Sequence, residues 1–535
     1  MSTKCLIKPS EYHDSVALME TARELTQLPG VSDAAVVMAT EANKGILREA
    51  GMLLPEIEAA TANDLVVVVQ AGTEEAAGHA LNVVERHLAR RPEAAGAGPA
   101  FQPRTIRGAV RSNPKANLAV ISVAGQYAVA EAWEALRNGL HVLLFSDNVP
   151  IEDEVALKKY AAEHGLLMMG AGCGTAIING VALGFANVVP RGPVGIVAAA
   201  GTGLQEVSTL LAKLGVGRTR IGRIDGSRAK LGVGVSQAIG TGGRDLKEPV
   251  GGIMMLEGLK ALQADPQTRV LLLVSKPPAP VVAERVLEQV RESDKPTVVC
   301  FLGGDPAPVV AAGAIPARTL QEAAYLAAGE VQGYPGPSVD DVIARETVDL
   351  RAQAAELKKR LNPGQKYLRG LFSGGTLVAE ALVVWEGILG DVLSNVAVDP
   401  RLKMEDATRS EGHCAVDLGE DEFTVGRPHP MIDHDLRIRR LVQEAADPEV
   451  AVILLDVVLG YGAHPDPAGE LGPAIRQARE RAANEGRELI VVASVTGTEG
   501  DPQGLGRQVR ALEEAGAVVC GCNAAAARVA GFAVG

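Results

Sequence analysis

Aromatic side chains are scarce in this 535-residue chain: Phe, Trp and Tyr together make up 3%. Its cores must therefore be built from Ala, Val, Leu and Ile. Cysteine is scarce too. Six cysteines in a chain of this length are no disulfide framework, which predicts reduced thiols and a cytoplasmic protein. No apolar run reaches the ~18–20 residues of a membrane-spanning helix, and the opening MSTKCLIKPSEYHD lacks the apolar stretch of a signal peptide. Basic residues are outnumbered 52 to 65, a net charge of −13. Diffuse negative charge argues against nucleic-acid and anionic-membrane partners. Small anionic substrates remain open, because they need only one local basic or N–H-rich pocket.

Glycine is abundant, 60 residues, well above the usual ~7%. Together with 47% hydrophobic and 22% charged residues, this suits α/β domains in which short apolar strands alternate with Ala-rich helices through glycine turns. The pattern predicts a ferredoxin/ACT-like module over 1–93 and a linker over 94–116, the boundary falling within RRPEAAGAGPAFQPR (90–104). The module reads either as regulatory or as a structural cap on the next domain. A doubly wound α/β domain is expected over 117–190. Two further α/β domains come next, over 191–329 and 366–535, joined by a connector over 330–365. The two larger domains read as copies. AAAGTGLQE and LFSGGTLVAE each run strand, Gly-Thr turn, helix, and the pairs Gly201/Gly375 and Glu206/Glu380 are both offset by 174 residues.

A Gly-Thr turn opening a helix has a physical meaning. First-turn N–H groups point outward unpaired, and the helix dipole adds partial positive charge. Glycine lets an anion approach, and Thr adds a hydroxyl. Gly201, Thr202, Gly203 and Glu206, with Ser373, Gly374, Gly375, Thr376 and Glu380, are therefore candidate phosphate-binding residues. The competing reading is a pair of capped tight turns inherited by duplication.

On these stretches, with GLHVLLFSDNVPIEDEVALKKYAAEHGLLMMGAGCGTAIING, GVSQAIGTGG and GAIPARTLQEAA, the chain resembles the α subunit of succinyl-CoA synthetase and other NDP-forming acyl-CoA ligases over Asn117–Gly329. Lys366–Val534 resembles their β-subunit ligase domain more weakly. Together these resemblances imply a Rossmann-like CoA-binding-type domain over 117–190 and two flavodoxin-like, succinyl-CoA-synthetase-like domains over 191–329 and 366–535. The resemblance implies two facing helix N-termini around a phosphate, with the two glutamates supporting a phosphohistidine. That histidine is replaced: the matching run is Val310-Ala311-Ala312-Gly313-Ala314-Ile315, and Ala311 carries no phosphoryl group. The ligases' glycine-rich CoA turn is replaced by the N-terminal module, and no ATP-grasp domain is found. This order of modules resembles the FdrA family. The resemblance implies a carbamoyltransferase subunit of ureide (allantoin) degradation, turning oxalurate and phosphate into oxamate and carbamoyl phosphate beside partner subunits. It requires no cofactor. The alternatives are an acyl-CoA ligase subunit, for which CoA is a possible cofactor, and a non-catalytic scaffold. A homo-oligomer is expected in each case.

The candidate catalytic residues lie in the last domain. EGHCAVDLGEDEFTVGRPHPMIDHDLRIRR gathers Arg427, His429 and His434, and GAHPDP adds His464. Pro-flanked histidines suit loops at strand ends, where α/β sites form, and Arg427 suits a carboxylate. Each also reads as an ordinary polar loop residue. Lys276 and Arg244 follow strand ends and are candidate substrate-binding cations. Pro428 and Pro430, flanking His429, break any helical face through His434, so no metal site is expected there. Cys173 reads either as a nucleophile or as a turn residue, and Cys520-Gly-Cys522 as buried thiols.

Overall fold

The computed structural model describes residues 2–9, 11, 15–26, 28–89, 103–215, 233–333, 338–424 and 428–535. The chain divides into two compact units, Met1–Arg104 with Asp421–Pro428, and Thr105–Glu420 with His429–Gly535.

In the first unit, strands β1 (Ser2–Lys8), β2 (Val31–Met38) and β3 (Leu65–Ala71) form a sheet in the order β1-β3-β2, with β3 antiparallel to both neighbours. This is the split β-α-β core expected of a ferredoxin-like module. The central strand LVVVVQA is buried almost throughout because both of its faces are covered. Leu65, Val67 and Val69 pack with Leu18, Leu25 and Val84 of two helices (Ser15–Thr26 and Glu74–Ala89). Val66 and Val68 point to the other face and meet Leu47, Met52 and Ile57 of the inserted segment between β2 and β3. The period-2 alternation thus feeds two cores from one strand.

The second unit opens with a parallel three-stranded sheet, β4 (Leu118–Ile121), β5 (His141–Leu144) and β6 (Met168–Met169), crossed by helices Gly125–Arg137 and Ile151–Glu163. A hairpin, β7 (Thr175–Ile178) and β8 (Val181–Gly184), then joins the next sheet rather than this one, so that sheet starts ahead of residue 191. Its parallel body is β9 (Arg191–Ala198), β10 (Val235–Gly240), β11 (Val270–Ser275), β12 (Thr297–Phe301) and β13 (Ile315–Pro316), ordered β13-β12-β11-β9-β10. The last sheet contains β14 (Tyr367–Phe372), β15 (Leu393–Ser394), β16 (Cys414–Asp417), β17 (Val450–Val458), β18 (Ile490–Thr496) and β19 (Val518–Cys520), ordered β15-β16-β14-β17-β18-β19. Leaving out the added β7, β8 and β15, both sheets follow the flavodoxin-like order 2-1-3-4-5. The duplication expected from the sequence is present in the topology.

The two halves share one core. Leu204, Val207 and Leu211 of the first half lie in the same buried cluster as Leu377, Ala381, Trp385 and Val529 of the second. Trp385 is fully buried, and its indole N–H donates to the Ala527 carbonyl at 2.8 Å. No helix among the described residues is long and apolar enough to cross a membrane.

Candidate functional site

Each half starts a helix at the C-terminal end of its central strand: Gly201–Gly215 after β9 and Gly375–Glu386 after β14. These two N-termini abut. A Cβ on Gly374 would lie 2.8–2.9 Å from Thr202, and one on Gly203 would lie 2.7 Å from Thr376 Cγ2. Thr of each half packs on Gly of the other, so neither glycine accepts a side chain. Gly201 differs in being exposed, with only Thr175 Oγ1 near its missing Cβ at 3.5 Å.

Glu206 and Glu380, one turn into these helices, are fully buried and face each other's half. Glu380 accepts from the N–H groups of Leu320 (2.7 Å) and Gln321 (3.3 Å), which begin a helix of the first half. Glu206 accepts from the Asn523 N–H at 3.0 Å, which begins the last helix of the second half, and from the Thr496 hydroxyl. The Asn523 side-chain amide donates to Glu380 at 2.8 Å. Each half therefore caps a helix of the other. Burial pushes the Glu380 carboxyl up to about 7, and the nearby Glu206 charge adds to the effect. Expected as phosphate-binding residues, the two glutamates have their oxygens taken by these donors.

The mouth of the site lies at the start of the second helix. The position of a Gly375 Cβ is 2.4 Å from Asp417 Oδ2 and 3.1 Å from Lys276 Nζ. Lys276 follows β11 of the first half, and Asp417 ends β16 of the second, so both sit at C-terminal strand ends. Burial pushes the Asp417 carboxyl up to about 7. The Lys276 ammonium opposes this shift, and the carboxylates of Glu420 and Asp456 reinforce it. Gly419 donates its N–H to Asp417 Oδ1 at 2.9 Å. His429 also reaches this turn, its Nε2 2.8 Å from where a Gly419 Cβ would stand. His429 Nδ1 accepts from the Met431 N–H at 3.2 Å, which assigns the ring proton to Nε2. Burial, helped by the Arg437 guanidinium, holds its pKa down at about 4, so the ring is neutral at pH 7. Ser373 is anchored rather than free: its N–H and hydroxyl both donate to Asp456, at 2.8 and 2.9 Å, and Arg437 pairs with the same carboxylate at 2.8 Å.

The other sequence candidates fall elsewhere. Arg244 pairs with Glu154 at 2.7 Å and donates to the Val149 carbonyl. Together with Lys158 and Asp245 it forms an ion cluster against helix Ile151–Glu163, away from the two helix starts. Arg427 lies outside the described residues. His434 and His464 are buried together, ring centroids 5.4 Å apart, and His464 Nε2 is 3.2 Å from Glu470 Oε1. Burial pushes the Cys173 thiol up to about 11, so it offers no thiolate at neutral pH. A cavity of about 1390 Å³, lined by Leu210, Lys213, Tyr325, Val495 and Cys520 among others, lies at the far end of helix Gly201–Gly215 from this mouth. Asp417 and Asn523 were missed in the sequence. An Asp closing the apolar run CAVD was a legible sign of a strand end, whereas Asn523 offered no local sign.

Fold and site define a CoA-ligase-type α/β protein with an added N-terminal module. Residues 371–533 match the family described as CoA-ligase, 209–303 the CoA binding domain family, and 1–103 the family described as AllF, heavy metal-associated domain. The uncharacterized protein YahF of Escherichia coli K12 is 47% identical over 97% of this chain and 96% of its own. The chain belongs to the FdrA-like family that includes YahF. The α subunit of ADP-forming succinate–CoA ligase from Methanothermobacter thermautotrophicus is 24% identical, covering 43% of this chain and 75% of its own. A solved acetyl-coenzyme A synthetase from Ca. Korarchaeum cryptofilum, in complex with phosphate and ADP, is 16% identical, covering 83% of this chain and 87% of that one, at a TM-score of 0.29.

Two groups implied by these families meet different residues. A soft heavy metal needs clustered thiolates, but Cys5 is the one cysteine in the first 104 residues and it packs against the core of the module, so the residues do not fit. For CoA, the match falls on 209–303, outside the turn after β4, where a Cβ on Gly125 would lie 2.2 Å from the Asp147 carbonyl and only glycine fits.

Proposed function

We propose that the chain is a subunit of a carbamoyltransferase of ureide (allantoin) degradation, acting on oxalurate and phosphate to give oxamate and carbamoyl phosphate. The observation that carries this reading is the pair of abutting helix N-termini with Lys276 beside them, in a chain that has Ala311 where the ligases keep their phosphohistidine. Preorganised N–H donors and one ammonium hold a phosphate without a covalent carrier. Gly201, Thr202, Gly375 and Lys276 contact the anion in this reading. Gly203, Gly374 and Thr376 keep the two helix starts in contact, while Ser373, Glu206 and Glu380 hold the frame. A phosphate oxygen attacks the ureido carbonyl of oxalurate, the C–N bond to the oxamate nitrogen breaks, and the proton of hydrogen phosphate ends on that nitrogen. Asp417, which titrates near neutral pH, and His429 stand where this proton passes. The setting is cytoplasmic, with partner subunits and a homo-oligomer, and no cofactor is required.

The test is oxalurate-dependent formation of carbamoyl phosphate by the full chain with its partner subunits, read as ATP through carbamate kinase and ADP. In parallel, melting temperature is followed with phosphate, carbamoyl phosphate, oxamate, oxalurate and CoA. Carbamoyl phosphate formation, with phosphate stabilisation lost in Gly375→Val, supports the reading. The second reading, an acyl-CoA ligase subunit, is favoured by the CoA-binding match over 209–303. Tight CoA binding without any response to the phosphates would establish that second reading in place of the first. Silence to all five ligands would leave a scaffold.

A further inference from the structure

His434 sits just ahead of helix Asp435–Ala445, 2% exposed, and neither ring nitrogen makes a hydrogen bond of good geometry, the Pro430 carbonyl being its one nearby backbone acceptor. A buried polar group left unmade costs ~1–3 kcal/mol and calls for an explanation. The loop after β17 supplies His464, and the helix after that loop supplies Glu470. One ligand atom from each of the three lies within 4.8 Å of the others. Two imidazoles and a carboxylate around one point are the donor set of open zinc sites, which leave a fourth position for water or substrate.

We propose that His434, His464 and Glu470 form a binding site for one divalent zinc-class cation. With metal bonds of ~2.0–2.2 Å, ligand atoms of a tetrahedral shell stand about 3.3 Å apart, and His464 Nε2 and Glu470 Oε1 are already 3.2 Å apart. The His434 ring, held by no more than a poorly aligned contact to the Pro430 carbonyl, closes the third side. His464 Nδ1 accepts from the Asp466 N–H at 3.1 Å, so without a cation the ring proton sits on Nε2, toward Glu470. Binding moves that proton to Nδ1 in exchange for the Asp466 contact, and no net proton is gained or lost. Arg437, the cation whose charge reaches His434, is already paired with Asp456 at 2.8 Å. The sequence concealed this site because its donors lie on two segments about thirty residues apart, while the local run His429–His434 is broken by Pro430.

The test uses the full chain, stripped with chelator and titrated with Zn²⁺ alone, with metal content measured after gel filtration. One Zn²⁺ per chain is expected, with affinity lowered more than about 100-fold in His464→Gln and in Glu470→Gln, beyond the ~10–100-fold of outer-shell changes. The Co²⁺ form should show the visible bands of N/O coordination without a thiolate charge-transfer band. No retained Zn²⁺, equal retention by wild type and both variants, or a thiolate band placing the ion on cysteine would each overturn the proposal. Should His464→Gln fail to fold, Glu470→Gln, with its partly exposed side chain, decides the matter. None of these readouts depends on the carbamoyl transfer reading.

Discussion

The two halves of the second unit share strand order, a glycine-opened helix and a buried glutamate, yet their helix starts have diverged. In the first half Gly201 is exposed, and no atom lies closer than 3.5 Å to its missing Cβ. In the second, the equivalent Gly375 is crowded by Asp417 at 2.4 Å and by Lys276 at 3.1 Å. One helix start is open, while the other faces a carboxylate of its own half and a cation of the opposite half. Duplicated turns have thus diverged in what surrounds them.

What the halves still share is the reciprocal capping by Glu206 and Glu380, and the largest expected effect comes from breaking it. Glu380 has a pKa of about 7 in the folded chain against an ordinary 4.5. The folded state therefore binds more protons than the unfolded state between these values, and stability falls as pH rises from about 4.5 to about 7. The loss is about 3 kcal/mol. Denaturant titrations of Glu380→Gln should show this pH dependence reduced, with Asp417, raised over the same range, supplying what remains; an unchanged slope would separate Glu380 from the effect.

The difference between the halves is sharpened by one pair of substitutions at matched positions. Gly375→Ala forces a methyl against Asp417 and should destabilise by ~1–3 kcal/mol, as overpacking does. Gly201→Ala meets open space and should stay within ~0.5 kcal/mol. Equal losses in thermal melts would mean that the helix starts are alike after all. Smallest in stability is Lys276→Ala, whose side chain is 43% exposed. It should change stability by less than ~0.5 kcal/mol while weakening phosphate binding about tenfold, a loss equal to one charge-assisted contact of ~1.5 kcal/mol. Calorimetry on the same variant reads both.

Much of the fold was legible because its strands are apolar runs bounded by glycine. VLLLVS, TVVCF and AVILLDV can bury both faces only inside a parallel sheet, and the Gly-Thr repeat pointed to the duplication. The β7–β8 hairpin escaped notice, although its turn residues Asn179-Gly180, with φ of +51° and +79°, are a strong hairpin signal. The site was less legible. Gly201, Gly375 and Lys276 were visible as strand-end and helix-start residues. The roles of Glu206 and Glu380 were not, because their partners lie between 59 and 317 residues away in the chain. Arg244 looked free because its acceptor Glu154 comes from another sheet's crossover helix.

In the proposed function a phosphate is held non-covalently where the two helix starts meet. Isothermal titration of the full chain with phosphate and carbamoyl phosphate, wild type beside Gly375→Val, tests this most directly. Saturable binding of one anion per chain, lost in the variant and indifferent to CoA, is the predicted result. Binding that survives Gly375→Val, or that appears only with CoA, would contradict it.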